Sequence, residues 1–279
     1  MSIIFNAEDH SYKSIDAADT IKWISVTTLI SLFKVPFDKE TQAEKSSKNK
    51  NSRWYGLSKE EIIEKWDKAN KVAVNLGSWY HNQREEDLIV CDTIQRSGRD
   101  LNIVAPILDG DKKLAPSQSL SEGIYPEHMM FLRSAGICGQ ADRVEVIADT
   151  IDLYDYKTNK EIKTAGFKSW NGAVSKMKHV CSHLDDCNYN HYTLQLSIYM
   201  YIMLKHNPNL KPGKIVLEHI KFDVEGQDEF GNPVYKFDPN GDPVVLEVVQ
   251  YNLPYLKKEV QNMIKYIQEH PEILNDIKK

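Results

Sequence analysis

Apolar positions recur at helical spacing in the first third of the chain. A capping box, Ser58-Lys-Glu-Glu61, precedes apolar residues spaced by three and four over residues 62–73, which predicts an amphipathic helix. We expect a second helix over residues 77–90 and a short one over 25–33. Residues 38–53 are charged and have no apolar period, so they predict a solvated helix end or a mobile loop.

The period shortens to two in the middle of the chain, which is typical of β-strands. Residues 125–131, 137–147 and 151–157 alternate in this way, and a tight turn near residue 148 joins the last two. We therefore predict an antiparallel meander. Residues 3–24 predict a further hairpin, and residues 100–122 a loop or short hairpin.

Helices and strands both follow the meander. The predicted elements are a helix over 191–204, a strand over 214–222, strands around turns at 229–233 and 238–242, and a helix from 252–254 to near Pro271. This order predicts an α/β fold in which helices cover both faces of a mixed sheet.

Composition limits the function classes. The chain has 279 residues, 41% of them hydrophobic and 27% charged, without an apolar run long enough to span a bilayer, so we expect no membrane association. The first residues lack an export signal, so we expect a cytoplasmic protein. Four cysteines are sparse for this length and predict free thiols. The net charge of −5 gives no global basic field, so contact with nucleic acid would require a local patch.

Two charged residues end a strand on its apolar face. Side chains two apart on a strand point the same way, so Asp155 and Lys157 share the face of Ile151 and Leu153. Most such pairs at strand ends are merely solvated. Charges on an inward face, however, cost free energy unless a partner stabilises them, which indicates a functional site.

Asp142 belongs to the preceding predicted strand. Counting outward from the turn near residue 148 places it roughly opposite Asp155. Two such carboxylates repel, and burial raises their pKa values unless a cation lies between them. Oxygen ligands favour Mg²⁺ or Mn²⁺, so we predict a site for one or two of these ions.

Four motifs in sequence order resemble those of the PD-(D/E)XK nuclease superfamily, in its RecB-type exonuclease branch, which includes phage-encoded and mitochondrial genome maintenance exonucleases. They are Gly77-Ser-Trp-Tyr-His81, Gly139-Gln-Ala-Asp142, Asp155-Tyr-Lys157-Thr158 and Gln195-Leu-Ser-Ile-Tyr199. One motif is a weak signal, but four in family order over roughly residues 25–205 are a specific one. The resemblance implies a restriction-endonuclease-like core, with a central mixed sheet flanked by helices and N-terminal helical insertions.

The resemblance also implies catalytic roles. His81, Asp142, Asp155 and the backbone carbonyl of Tyr156 are implied metal ligands. Lys157 would orient or help deprotonate the attacking water and stabilise charge on the phosphate. Without the other motifs, His81 beside two aromatic residues would more simply be a core histidine.

The same resemblance leaves more than one role open for several residues around this centre. Glu127 lies where relatives often have a glutamate, which would ligate the metal or buttress a neighbour, and Glu85 follows the histidine motif. Gln195 and Tyr199, on one face of a helix, would hold DNA, brace the metal-binding strand or simply pack.

The predicted DNA contacts lie in two places. Ser25, Thr27 and Thr28 match a Ser/Thr-rich helix start of this branch and could bind phosphate, with a plain helix cap as the alternative. Residues 157–178 hold six lysines against one acid, which indicates a local DNA patch or else a solvated loop. The contacts predicted within it are Thr158, Lys160, Lys163 and a base-stacking Trp170.

The cysteines and histidines after this patch indicate no further metal site. Cys181, His183, Cys187 and His191 fit no zinc module by spacing. Iron-sulfur members of the branch carry three cysteines after the Gln-x-x-x-Tyr helix, and the chain has none beyond Cys187, so we expect no cluster. We expect no nucleotide cofactor either.

The sequence thus predicts a single nuclease domain over residues 1–279, with a histidine-motif part to 124, a catalytic core over 125–222 and a C-terminal hairpin and helix over 223–279. The resemblance implies a Mg²⁺- or Mn²⁺-dependent deoxyribonuclease, an exonuclease on single-stranded or duplex DNA ends in recombination, repair or replication. Recombination or replication proteins are expected partners, and host cytoplasm is the expected location of a phage-encoded enzyme. A structure-selective endonuclease and an inactive DNA-binding module with the same fold are the alternatives.

Overall fold

The structure is a computed structural model that describes residues 3–6, 11–169 and 171–277. Trp170, which we expected to stack on a base, lies outside these residues. None of the helices described there has both the length and the apolarity needed to cross a membrane.

The described residues form a mixed α/β fold with five α-helices. The helices are α1 (Val26–Leu32), α2 (Lys39–Lys48), α3 (Lys59–Ile89), α4 (Asn188–His206) and α5 (Lys257–Glu269). The strands are β1 (Ile3–Asn6), β2 (Ser11–Ser14), β3 (Ile24–Ser25), β4 (Thr93–Arg96), β5 (Arg99–Asn102), β6 (Ile107–Asp109), β7 (Lys112–Leu114), β8 (Gly123–Leu132), β9 (Ile137–Ile147), β10 (Thr150–Lys157), β11 (Lys211–Phe222), β12 (Val224–Gln227), β13 (Pro233–Tyr235) and β14 (Val245–Asn252).

Helix α3 is one continuous helix of 31 residues, where the sequence pattern predicted two. Ser58 and Glu61 form the expected capping box at its start. Gly77, which prompted the predicted break, lies inside the helix. A glycine is needed at this position because a Cβ would come within 3.2 Å of Thr158 Oγ1. The glycine therefore serves a close approach between α3 and the end of β10, and the neighbouring contacts offset its low helix propensity.

Residues 38–53, expected to be a helix end or a mobile loop, contain the ten-residue helix α2. Asp38 caps this helix by accepting a hydrogen bond from Thr41 N. Ala43 is its buried residue and packs against Trp54 and Ile62. A single small apolar residue produces no detectable period, which is why the pattern did not predict the helix.

The main sheet has the strand order β14-β11-β10-β9-β3, and β8 also pairs with β9. Strands β8, β9 and β10 form the predicted antiparallel meander, whereas β10 runs parallel to β11. Strand β8 pairs with almost the whole length of β9 along one edge. On the other edge of β9, β10 pairs with residues 143–147 and β3 pairs with residues 137–138. The two strands diverge beside residues 139–142 of β9, and we call this gap the fork.

Helices cover both faces of this sheet, as predicted. Helices α1, α4 and α5 pack with Ile151 and Leu153 in the largest apolar core. On the opposite face, Leu76 and Tyr80 of α3 pack on Tyr156 and on residues of β11. Helix α5 begins at Lys257, later than predicted, because Leu253 N still donates to Ile215 O beyond the end of β14.

Three small sheets surround the main sheet. The first hairpin, β1 and β2, appears as predicted and joins the β6-β7 hairpin in the order β2-β1-β7-β6. Strands β4 and β5 form a second hairpin, and β12 and β13 a third. The β6-β7 hairpin is the one predicted within residues 100–122.

Candidate active site

The fork in the edge of β9 holds both predicted aspartates. The ladder between β9 and β10 ends at the pair Tyr154 and Arg143, and its register continues to Asp155 opposite Asp142. There Asp142 Oδ2 accepts a hydrogen bond from Tyr156 N at 2.6 Å. The expected opposition of the two aspartates is confirmed, and a carboxylate takes the place of a backbone partner at the end of the ladder.

Asp155 and Lys157 form a contact pair on the inward face of β10. Asp155 is only 1% exposed, and the Lys157 ammonium lies against its carboxylate. Burial raises the pKa of Asp155 to about 6, opposed by Lys157 and reinforced by Asp142. Burial alone would lower the pKa of Lys157, but the two aspartates outweigh it and hold the pKa above its usual value. Lys157 therefore stays an ammonium, suited to donating hydrogen bonds and stabilising negative charge rather than to accepting a proton.

His81 reaches the same fork from α3. Its Nδ1 lies 3.3 Å from Asp142 Oδ1 and 3.8 Å from Glu127 Oε1, and its Nε2 lies 3.2 Å from the carbonyl oxygen of Tyr156. Burial by itself would lower the pKa of His81, but Asp142 and then Glu127 outweigh it and raise the pKa to about 10. The imidazolium is thus held between carboxylates and a carbonyl oxygen, all groups that also accept a metal cation.

Glu127 and Lys113 complete the charged cluster on the side of β8. Burial raises the pKa of Glu127, although His81 donates to it, and Gln140 also donates a hydrogen bond to its carboxylate. Lys113 of β7 lies 3.8 Å from Glu127 and donates to Glu85 at 3.1 Å. Lys113 was not predicted as a site residue, because nothing in the pattern of a short hairpin indicates that its side chain reaches a distant strand.

The backbone of Glu127 is itself unusual. Its φ of 48° lies in the left-handed region, although the residue belongs to strand β8. A residue other than glycine adopts this conformation at a cost of about 1–3 kcal/mol, and such strain is concentrated at functional sites. The conformation accompanies a side chain that points toward His81.

The donor set fits a divalent cation. Ligand atoms of His81, Glu127 and Asp142 all lie within 4.8 Å of one another. Both carboxylate oxygens of Asp155 are buried, and the Lys157 ammonium is their charged partner in the described part of the chain. The carboxylate oxygens suit Mg²⁺ or Mn²⁺, whereas an imidazole is a ligand that zinc and other transition metals prefer. The three residues whose ligand atoms lie within 4.8 Å of one another differ from the expected ligand set. Glu127 is one of them, whereas Asp155 lies outside the group, beside Lys157.

Gln195 and Tyr199 lie beneath the site, away from the surface. Gln195 Nε2 donates to Tyr199 Oη at 3.1 Å, and both side chains are buried. Burial raises the pKa of Tyr199 well above its usual value. A Cβ on Gly139 would lie 2.5 Å from the Tyr199 ring, so the glycine lets the ring pack directly against β9. These contacts brace the strand that carries Asp142.

The predicted DNA contacts near α1 form a network of their own. Ser25 Oγ lies 2.9 Å from Thr27 Oγ1, donates to Thr28 Oγ1 at 2.8 Å and accepts from Thr28 N at 3.0 Å. These contacts are those of the plain helix cap, the alternative to a phosphate site. Ser25 also belongs to β3, so the cap lies at the far branch of the fork.

The residues after Lys157 follow the expected irregular path. Thr158 faces Gly77 of α3, and Lys160 donates to Gly231 O at 3.4 Å. Lys163 is exposed and lies 3.3 Å from Glu161. Of these three, Thr158 lies closest along the chain to the charged cluster.

The cysteines and histidines after residue 178 are partnered separately. His183 lies 3.4 Å from Glu259 and His191 lies 2.6 Å from Asp186. Cys181 and Cys187 are buried free thiols, and burial raises the pKa of Cys181 to about 12. The free thiols predicted from the low cysteine content are confirmed.

Comparison with known proteins adds no further information on function, since no protein-family model and no curated protein matches the chain.

Proposed function

We propose that the protein is a divalent-metal-dependent deoxyribonuclease with a PD-(D/E)XK core of the restriction-endonuclease type, similar to RecB-type exonucleases. The observation that supports this most is the meeting of four side chains from three elements at one fork. Asp142 comes from β9, Asp155 and Lys157 from β10, and His81 from α3. A core histidine or a solvated Asp-x-Lys pair would not require all four to converge.

The cluster is suited to the chemistry of phosphodiester hydrolysis. His81, Asp142 and Glu127, with Asp155 and the Tyr156 carbonyl nearby, are the groups that would hold the cation. A bound Mg²⁺ or Mn²⁺ would supply positive charge at the scissile phosphate. Lys157, kept protonated by its two aspartate neighbours, donates a hydrogen bond to the attacking water or to a phosphate oxygen and stabilises the charge that develops there.

Glu127 and Lys113 position His81 in this scheme. The Glu127 carboxylate faces one side of the imidazole, and Lys113 limits the excess negative charge around it. Gln195 and Tyr199 contribute indirectly by bracing β9. This gives the Gln-x-x-x-Tyr motif a positioning role instead of direct contact with DNA.

We favour an exonuclease that acts on DNA ends in recombination, repair or replication, on the basis of the motif resemblance. The test is incubation with Mg²⁺ or Mn²⁺ and either linear or covalently closed circular DNA. An exonuclease degrades the linear form alone. Cleavage of both forms would indicate an endonuclease, and binding without cleavage an inactive DNA-binding module.

Two variants test the assigned roles. Lys157→Ala abolishes cleavage but retains metal binding, because it removes a donor and no ligand. Asp155→Ala loses both. Lys258→Ala, on the exposed side of α5, is the matched control and leaves cleavage unchanged. Undiminished cleavage by Lys157→Ala or Asp155→Ala would falsify the proposed centre.

A further inference from the structure

The chain that follows β10 is held on both faces of the sheet. On the side of α3, a Cβ at Gly77 would lie 3.2 Å from Thr158 Oγ1, so the helix and this segment are in close contact. On the side of α4, Tyr192 Oη donates a hydrogen bond to Asn159 Oδ1 at 2.7 Å. The segment directly after Lys157 is therefore fixed, although Lys157 is the last residue of its strand.

His219 of β11 holds the same segment through its backbone. The residue pairs with Lys157 in the parallel ladder and is 2% exposed. Its Nε2 lies 2.5 Å from the carbonyl oxygen of Asn159, which can only accept, so Nε2 carries a proton and donates it to this bond. Its Nδ1 is buried without a partner among the described residues. An unpaired buried nitrogen costs free energy that an apolar side chain would avoid, so we attribute the presence of a histidine to its bond with Asn159.

Tyr192 also contacts the Lys157 side chain. The ammonium nitrogen lies 5.1 Å from the centroid of the Tyr192 ring, which is within the range of a cation–π interaction. The Asp155 carboxylate lies against the same ammonium, and Lys157 Nζ donates to Tyr156 O at 3.3 Å. An ammonium has three N–H donors. With the ring on one side and these two acceptors engaged, one N–H remains for the attacking water or a phosphate oxygen.

One face of α4 supports both strands of the candidate active site. Tyr192 and Tyr199 are two helical turns apart, so they lie on the same side of α4. Tyr199 packs against Gly139 of β9, whereas Tyr192 contacts the end of β10 and the residues after it. The helix therefore supports the strand of Asp142 through one tyrosine and the side chain of Lys157 through the other.

We propose that Tyr192 is a positioning residue that orients the Lys157 ammonium toward the scissile phosphate, an inference that rests on the proposed nuclease function. The hydroxyl fixes the backbone after Lys157 through Asn159, and the ring restricts the side chain itself. A lysine has a flexible four-carbon stem and many rotamers, which these contacts reduce before the substrate binds. The reduction matters because a displacement of about 1 Å in a reacting group lowers the rate by up to roughly 10²-fold.

The first test measures the environment of Lys157 without catalysis. The protein is methylated with formaldehyde and a borane reductant in EDTA, and the rate at each lysine is measured by peptide mass spectrometry. Tyr192→Leu uncovers the ammonium and raises the rate at Lys157 at least about fivefold, whereas Tyr192→Phe keeps the ring and changes it less than about twofold. Lys258, exposed on α5, is the internal control and keeps its rate in every variant. An unchanged rate at Lys157 in Tyr192→Leu would overturn the proposal.

The second test measures hydrolysis of bis(p-nitrophenyl) phosphate with Mn²⁺. Tyr192→Phe and Asn159→Ala remove the same hydrogen bond from its two ends, and Asn159 is exposed. Each lowers kcat about tenfold and changes KM less than about twofold, because Lys157 acts on charge that develops in the transition state. The double variant is no slower than either single variant. Tyr201→Phe, whose ring lies 5.2 Å from Lys205 on the same helix, is the matched control and keeps the wild-type kcat.

The two tests distinguish failure of this proposal from failure of the proposed function. If the wild-type protein hydrolyses neither the diester nor DNA, the nuclease is refuted, and the methylation rates still decide whether Tyr192 covers Lys157. If the wild-type protein is active, an unchanged kcat in both Tyr192→Phe and Asn159→Ala, or additive losses in the double variant, would overturn the positioning role. These two variants also decide that role if Tyr192→Leu does not fold.

Discussion

The packing of the Tyr199 ring against Gly139 predicts that Gly139→Ala lowers the stability of the protein when the ring is present and raises it when the ring is absent. A Cβ at residue 139 would lie 2.5 Å from one ring carbon of Tyr199 and 3.3 Å from the next, where ordinary contact needs at least 3.4 Å. The ring is fully packed and hydrogen-bonded to Gln195, so it has no free space to move into. Gly139→Ala therefore destabilises the protein by about 1–3 kcal/mol through overpacking. For a protein of this size that lowers Tm by roughly 2–12 °C.

The same substitution has the opposite effect once the ring is removed. Tyr199→Ala alone costs about 3–5 kcal/mol. In that background the methyl group added by Gly139→Ala meets no ring, and because the φ of Gly139 is not positive, alanine stabilises by about 0.4–1 kcal/mol through the unfolded state. Urea melts of the four proteins measure a coupling free energy of about 1.4–4 kcal/mol. Additive effects, or a loss below about 0.5 kcal/mol for Gly139→Ala alone, would refute the packing argument.

Three further predictions concern charge. Burial lowers the pKa of His128 to about 4, so the folded state excludes a proton that the unfolded chain binds near pH 6.5. The free energy of unfolding that this contributes is fully present above pH 6.5 and falls by roughly 2–4 kcal/mol as the pH is lowered to 4. In urea melts, His128→Leu therefore loses less stability in acid than the wild type does; an equally steep loss would contradict this. His81, with a pKa near 10, releases about one proton when Mn²⁺ binds at pH 8, so calorimetric heats differ between buffers of different ionisation enthalpy; identical heats would contradict this. Arg143 lies 3.2 Å from Glu145 and 3.5 Å from Glu218. Arg143→Met leaves the buried Glu218 without a cationic partner among the described residues and Glu145 with Arg96 alone, so it costs about 3–5 kcal/mol in urea melts at pH 7; a loss under about 1 kcal/mol would be the contrary result.

Local patterns were sufficient to predict the elements around the aspartates. Strict alternation over β9 and β10, with a turn between them, fixes which residues face each other, so the opposition of Asp142 and Asp155 followed from counting. The capping box at Ser58 likewise predicted the start of α3, because both of its partners are local in sequence.

Features that depend on distant contacts were not predictable in this way. Gly77 looked like a break between helices, and only the approach of Thr158 explains a glycine inside α3. Lys113 and Glu127 meet across two different sheets, a contact that no periodicity encodes. The path of β3 beside β9 also has no local signal, because a two-residue strand is too short to show a period.

Helix α3 carries His81 near one end and contacts Trp54 and Ala43 near the other through Ile62 and Trp66. Its 31 residues form one continuous helix about 46 Å long, so a tilt at the Trp54 end displaces the residues at the His81 end. The orientation of the His81 imidazole therefore depends on the packing of α3 at both ends, near Trp54 and near the charged cluster. Loosening the aromatic anchor at Trp54 would misalign the histidine with every carboxylate still in place, so the precision of this centre is a mechanical property of its longest helix.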